Sequence, residues 1–311
     1  MVPHHRLLSY TLTQPPAAGE GIRLGLWQGT GSAATADAVE ENLLRLEQVC
    51  THAASLGVQL LAFPELYLSG YIVTPDLARQ LAEPLDGTSL QRVAAAARRN
   101  GLAVACPYPE RAVVAGEERF YDAIALFDHS GRLLRNYRKT HLWGPDEKRC
   151  WHPGYLHPEE GPAFSVHPVN GISVGLLNCY EAEFPELSRR LALEGAQLIL
   201  IPTAADTWAE LSTGQRTTQP YPDVSRTLVP AHAFQNGCFV AYANRCGEEH
   251  VNGQVKAAYL GNSIICGPHG DTLVAARAEP TLLMADCLPG DYGPSHPENT
   301  TYLKDRRTDL Y

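Results

Sequence analysis

The sequence predicts an α/β fold in which mixed β-sheets pack face to face with helices on the outside. Three observations carry that prediction. Short apolar runs of strand length alternate with segments of helical periodicity along the chain. Several strand-like runs follow one another with only a turn between, which excludes a wholly parallel sheet, since each parallel crossover needs a long connection. Finally, 311 residues with 44% hydrophobic content supply a large core, and no composition shift marks a linker. A single domain over residues 1–311 is expected.

The elements follow in order. Residues 1–21 carry Pro3, Pro15, Pro16, Gly19 and Gly21 and read as an irregular leader. Ile22–Gln28 reads as a strand. Ala36–Gly57 reads as a helix, with Val39, Leu43, Leu46, Cys50 and Ala53 on one face. Gln59–Phe63 is a strand, and Ser89–Asn100 is a helix stopped by Gly101. Leu102–Cys106 and Ala123–Asp128 are strands, the second closed by the Ser130-Gly131 turn. Ile172–Asn178 is a strand, Phe184–Glu194 a helix and Gln197–Pro202 a strand. Asp223–Asn236 is a helix ending at Gly237. Phe239–Asn244, Ser263–Cys266 and Leu282–Asp286 complete the strands.

Composition excludes several classes of function. A net charge of −9 with no Lys/Arg cluster argues against nucleic acid and against an anionic membrane surface. No stretch approaches the roughly 18 apolar residues that span a bilayer. Met1–Glu20 contains His4, His5, Arg6 and prolines, and does not read as a signal peptide. The eight cysteines are scattered without a CxxC pair. A reduced, soluble, cytoplasmic protein is expected. No P-loop, GxSxG or GxGxxG pattern is present, which removes support for nucleotide binding and serine-hydrolase chemistry. Cys150-Trp151-His152 with His157 is too small a ligand set for a closed metal site, so neither metal nor cofactor is expected.

Three strand ends deliver reactive groups. Cys179 ends the run from Ile172 to Asn178, Glu65 ends Leu60-Leu61-Ala62-Phe63-Pro64, and Lys139 ends Asn136-Tyr137-Arg138. Small-molecule sites in α/β folds gather at such edges. Each residue alone has an ordinary reading: a buried apolar thiol, a helix-start carboxylate, a solvated amine. Together, a thiol, a carboxylate and an ammonium are the parts for hydrolysis through a thioester.

The local spelling around all three resembles the nitrilase, or carbon–nitrogen hydrolase, superfamily. Leu60 to Glu65 with Leu68-Ser69-Gly70-Tyr71 is similar to its Glu block, Tyr137-Arg138-Lys139-Thr140-His141-Leu142 to its Lys block, and Cys179 to Glu186 to its Cys block. One departure is visible: Glu181 stands where Asp is usual. Asn244-Arg245-Cys246-Gly247, Gly261 to Ile265 and Asp305 to Tyr311 resemble later landmarks, so the likeness covers nearly the whole chain.

The resemblance implies a four-layer αββα sandwich, with residues 289–311 forming a C-terminal tail in the interface of a homodimer or higher homo-oligomer. It also implies roles. Cys179 is the nucleophile and Glu65 the base. Lys139 is expected to favour a thiolate at Cys179 and to hold the oxyanion together with the Tyr180 backbone N–H. A second glutamate that orients substrate and lysine is assigned to Glu147, with Asp146 as its rival. His141 is expected to fix its loop. Tyr71, Trp143, Tyr180, Trp208, Tyr259 and Asp206 are candidate pocket walls, each aromatic also fitting ordinary packing.

The leading functional reading is an amidase acting on a small-molecule amide, since Tyr180-Glu181 follows the nucleophile where true nitrilases resemble Trp-Glu. N-carbamoyl-amide hydrolysis and nitrile hydrolysis are the alternatives. A catalytically idle interaction protein on the same scaffold is the remote one.

Overall fold

The computed structural model describes residues 4–72 and 74–310, so residues 1–3 of the leader and Tyr311 of the tail lie outside it. In the first half of the chain, β1 (Arg6–Tyr10), β2 (Ile22–Gln28), β3 (Leu60–Ala62), β4 (Ala103–Val114), β5 (Glu117–Phe127) and β6 (Leu133–Arg138) enter one sheet. The last strand of the chain, Thr281–Cys287, inserts between β1 and β2 to make seven. Helices α1 (Ala36–Ser55), α2 (Pro75–Leu81), α3 (Thr88–Asn100) and α4 (Gly144–Cys150) lie between these strands in sequence.

The second half builds a six-stranded sheet from β7 (His167–Val169), β8 (Ile172–Leu176), β9 (Leu198–Thr203), the strands Phe239–Asn244 and Ile264–Cys266, and Thr272–Ala275. Phe239–Asn244 of that sheet is β11, and a separate three-stranded sheet is built from β10 (Asp206–Ala209), β12 (Cys246–Val251) and β13 (Gln254–Leu260) in the order β10-β13-β12. Helices α5 (Pro185–Leu193) and α6 (Leu228–Asn236) follow β8 and β10. Both larger sheets are mixed.

Strand periodicity sets the layers. Leu60 and Ala62 point into a core shared with Leu24, Val174, Leu198 and Leu200, between the two sheets. Leu61 and Phe63 point the other way, onto Leu46 of α1 and Val93 of α3. On β9, Leu198 and Leu200 face the inter-sheet core, whereas Ile199 and Ile201 pack on Leu191 of α5 and Ala233 of α6. The result is helices, sheet, sheet, helices: the αββα sandwich. Each fully buried aliphatic side chain contributes about 1.5–3 kcal/mol to holding it.

Several boundaries differ from expectation. Residues 6–10 of the leader are not irregular; they pair in parallel with the last strand, Arg6 opposite Thr281. β4 and β5 run to Val114 and from Glu117, because Pro107 and Pro109 sit where a missing N–H costs nothing to the ladder with β5. The helix expected over Asp223–Asn236 begins only at Leu228, after a 3₁₀ turn at Val224–Arg226. Pro230 explains the break, since its ring excludes a helical carbonyl four residues back. The short helices α2 and α4, which the periodicity does not announce, carry a proline at their first and second positions, Pro75 and Pro145. Among the described residues, no helix is long and apolar enough to cross a membrane.

Candidate active site

Four sheet-edge segments deliver the site. Beyond β3, Glu65 leaves the sheet on a turn in which Leu66 takes a φ of 45°. The buried Arg245 guanidinium holds that turn by donating to Glu65 O at 2.9 and 3.1 Å and to Leu66 O at 2.7 Å. Lys139 follows β6, its N–H bound to Asp122 O at 2.9 Å. Glu147 lies in the first turn of α4, where one oxygen accepts the Trp143 N–H at 2.7 Å. Cys179 follows β8 with a φ of 50°, a left-handed conformation that non-glycine residues rarely hold outside functional sites.

The side chains converge. The Lys139 ammonium, fully buried, donates to Glu65 Oε1 at 2.6 Å and Glu147 Oε1 at 2.8 Å, with Asp122 Oδ2 at 3.6 Å. Of the two rival acids, Glu147 reaches the lysine, while Asp146 turns outward to Arg149 and Ser212. Tyr71 OH adds a 2.6 Å bond to Glu147. Carboxylate oxygens of Glu65, Asp122 and Glu147 lie within 4.8 Å of one another, a spacing suited to a cation. The Lys139 ammonium already fills that role. Burial disfavours its charge, but Glu147 and Glu65 outweigh burial and hold its pKa well above the ordinary lysine value.

Asp122 was not anticipated from the sequence. It lies inside β5 with no exposed surface, and burial, followed by the nearby Glu65, raises its pKa well above the usual carboxylate range. Burial and Glu65 thus both favour its protonated form. As ionised groups, both Asp122 oxygens and Glu65 Oε2 would be buried without a donor. One proton on Asp122, shared with Glu65, gives both a partner.

The thiol departs from expectation. Burial, then Glu65, push the Cys179 pKa well up, and Lys139 and the Ala204 backbone N–H only partly oppose them. Lys139 favours the thiolate, as expected, but its charge is shared with two carboxylates and does not offset burial and Glu65. The sulfur waits as S–H beside Glu65. Cys179 itself is buried, with 6% of its surface exposed.

Glu181, the departure from the usual Asp, ties the loops together. Its buried carboxylate accepts from Asn178 N–H and Tyr137 OH at 2.7 Å, and from Thr140 N–H at 2.6 Å. Thr140 OH donates to it as well. One side chain thereby fixes the residue before the nucleophile and the residue after the lysine. His141 sits in the same loop, against Thr140 OH and the ring of Phe184.

A cavity of about 350 Å³ opens beside the cluster, with Glu147 and Tyr71 in its wall. Trp143 and Asp206 line it as expected. Trp208 does not. A bulge in β10 between Asp206 and Trp208 breaks strand alternation, so Asp206 and Ala209 border the cavity while the Trp208 ring stacks under Arg216 at 3.9 Å. The Tyr180 ring also stays out of the wall, packing edge-on against Phe184. Tyr259 bonds to Glu249 behind the wall.

Fold and site together define an enzyme of the amidase type, a hydrolase of carbon–nitrogen bonds other than peptide bonds. Residues 23–295 match the carbon–nitrogen hydrolase family, and the chain belongs to that family. A Pseudomonas protegens protein described as a hydrolase in the pqqF 5′ region is 40% identical over 273 residues, 88% of this chain and 86% of that protein. An (R)-stereoselective amidase of Pseudomonas is 35% identical over 248 residues, 80% and 79% of the two chains. The solved structure of a cysteine mutant of a Nesterenkonia amidase from the nitrilase superfamily has a TM-score of 0.74 at 32% identity, covering 95% of this chain and 97% of that one.

Proposed function

We propose that this enzyme hydrolyses a small carboxamide to the acid and ammonia through a thioester on Cys179. The observation that carries the reading is the buried Lys139 ammonium bridging Glu65 and Glu147 beside a strained, protonated thiol. The sulfur attacks the amide carbon as Glu65 takes the S–H proton. The carbonyl oxygen becomes an oxyanion, held by Lys139 Nζ and the Tyr180 backbone N–H. Glu65 returns the proton to the nitrogen, the C–N bond breaks and ammonia leaves. Water then attacks the thioester, Glu65 taking one proton and delivering it to sulfur, which frees the acid.

Glu147 keeps Lys139 aimed and presents an oxygen toward the cavity. The cavity's size lies at the small end of ligand sites, which supports a short acyl chain. Related amidase structures from Nesterenkonia carry acrylamide and butyramide, and one shows covalent addition of the acetamide moiety of fluoroacetamide at the active-site cysteine. Those ligands support an amide here.

An ammonia-release screen over amides, N-carbamoyl compounds and nitriles with purified protein tests the reading. Turnover of amides, lost in Cys179→Ala, is expected. Turnover confined to nitriles or N-carbamoyl compounds would replace the amide with that substrate class, and ammonia release by the Cys179→Ala variant would remove the thioester.

A further inference from the structure

The cavity beside the active site holds more acid than base. Asp146, Glu147, Asp206 and Glu210 border it, against Arg149 and Lys256. Three of the acids are already matched: Glu147 to Lys139 at 2.8 Å, Glu210 to Lys256 at 2.6 Å, and Asp146 to Arg149. Asp206 alone has no cationic partner among the described residues. It is 5% exposed, and the neighbouring Tyr221 N–H donates to its backbone carbonyl at 2.9 Å. A carboxylate withdrawn this far from water without a countercharge is costly, and a cation that completed it would be strongly favoured.

Its position relative to the thiol is set by the chain. Ala204 N–H bonds to the Cys179 sulfur, and Asp206 lies two residues further along the chain, at the start of β10. The β10 bulge keeps Asp206 on the cavity side, and Tyr71 and Trp143, aromatic residues of a kind that attract a positive charge, line the same cavity.

We infer that Asp206 is an ammonium-binding subsite, so that the preferred substrates are amides carrying a protonated amine a few carbons from the scissile carbonyl. The substrate class rests on the amide-hydrolase reading above; the subsite itself does not. An incoming ammonium supplies the fourth cation that the wall lacks, and it fixes the far end of the substrate while Cys179 meets the carbonyl. A neutral chain of equal length leaves Asp206 uncompensated.

The test compares 4-aminobutanamide with pentanamide, its neutral counterpart of equal length, and follows butylammonium binding by calorimetry. Wild-type kcat/KM is expected to favour the amine by about tenfold or more, the equivalent of one modest charge pair. In Asp206→Asn that ratio should collapse toward one, and butylammonium binding should be lost, while Asp206→Glu retains part of both. Equal kcat/KM for the two amides in the wild type, or a preference undiminished in Asp206→Asn, overturns the proposal. If neither amide is hydrolysed, the amide reading fails separately. Butylammonium binding that depends on Asp206 then still supports the subsite, and its absence ends it.

Discussion

At the scale of single residues, this site is a problem in proton placement. Three buried carboxyl groups share one ammonium, and burial and Glu65 push one of them, Asp122, toward protonation. Asp122 acts through Glu65 as a positioning residue. Asparagine can donate in its place; leucine cannot. Asp122→Asn is expected to keep kcat within about tenfold of wild type, whereas Asp122→Leu, which strands Glu65 Oε2, should lower it by about 10–100-fold. Equal kcat in the two variants contradicts the donor role. The pH dependence of kcat adds a readout that a purely structural role would not move, since Asp122→Leu alters the partner of the base.

Asp206 makes a separate prediction. Burial raises its pKa to about 6 in the folded protein, from 3.8. The folded state therefore binds that proton more tightly than the unfolded state, so its stability falls as pH rises from about 4 through 6 and levels off above. Asp206→Asn removes the cost of the charge. It should gain Tm over wild type above pH 6 and lose the advantage near pH 4, by up to about 2 kcal/mol after allowance for water in the cavity. Melting curves across that range check it; an advantage independent of pH contradicts it.

At the scale of elements, the loops after β6 and β8 are coupled through one carboxylate. Removing it in Glu181→Ala leaves the N–H groups of Asn178 and Thr140 and the Tyr137 hydroxyl without an acceptor, at about 1–3 kcal/mol each. The expected outcome is a Tm lower by several degrees together with a large fall in kcat, measured by calorimetry and ammonia release. An unchanged kcat would show that Lys139 and Cys179 hold their places without it.

The same elements explain what sequence could and could not reveal. Glu65, Lys139 and Cys179 are legible because each ends a strand whose spelling is local. Asp122 is illegible because it reads as one more position in the run Tyr121 to Phe127. Its meaning comes from register, which sets it between β4 and β6, behind Lys139. Trp208 misleads for another reason: its place just past β9 suggests the pocket, and a bulge in β10 turns its ring away. The inter-sheet core was readable from apolar runs, but β1 was not, since its five residues gain strand form only by pairing with the distant C-terminal strand. Glu181 was visible as an oddity and acquires a reason only when two loops meet.

At the scale of the molecule, the C-terminal tail lies along α6. Phe234 stacks with His296 and Tyr302 at 5.6 and 5.7 Å, while Tyr302 remains 42% and Leu310 68% exposed. Apolar side chains held at the surface on an ordered segment suit a subunit interface. A homodimer or larger assembly is the expected outcome of light scattering, and truncation before Tyr302 should shift it toward monomer. A monomeric wild type contradicts the interface.

The resting S–H has a consequence for life among oxidants. Peroxides and stray electrophiles react with thiolates, and burial and Glu65 favour the S–H form of Cys179, so slow labelling of the resting protein by iodoacetamide is expected and rapid selective labelling of Cys179 would contradict it. Such an enzyme carries its own safety catch, released by the molecule it is meant to cleave.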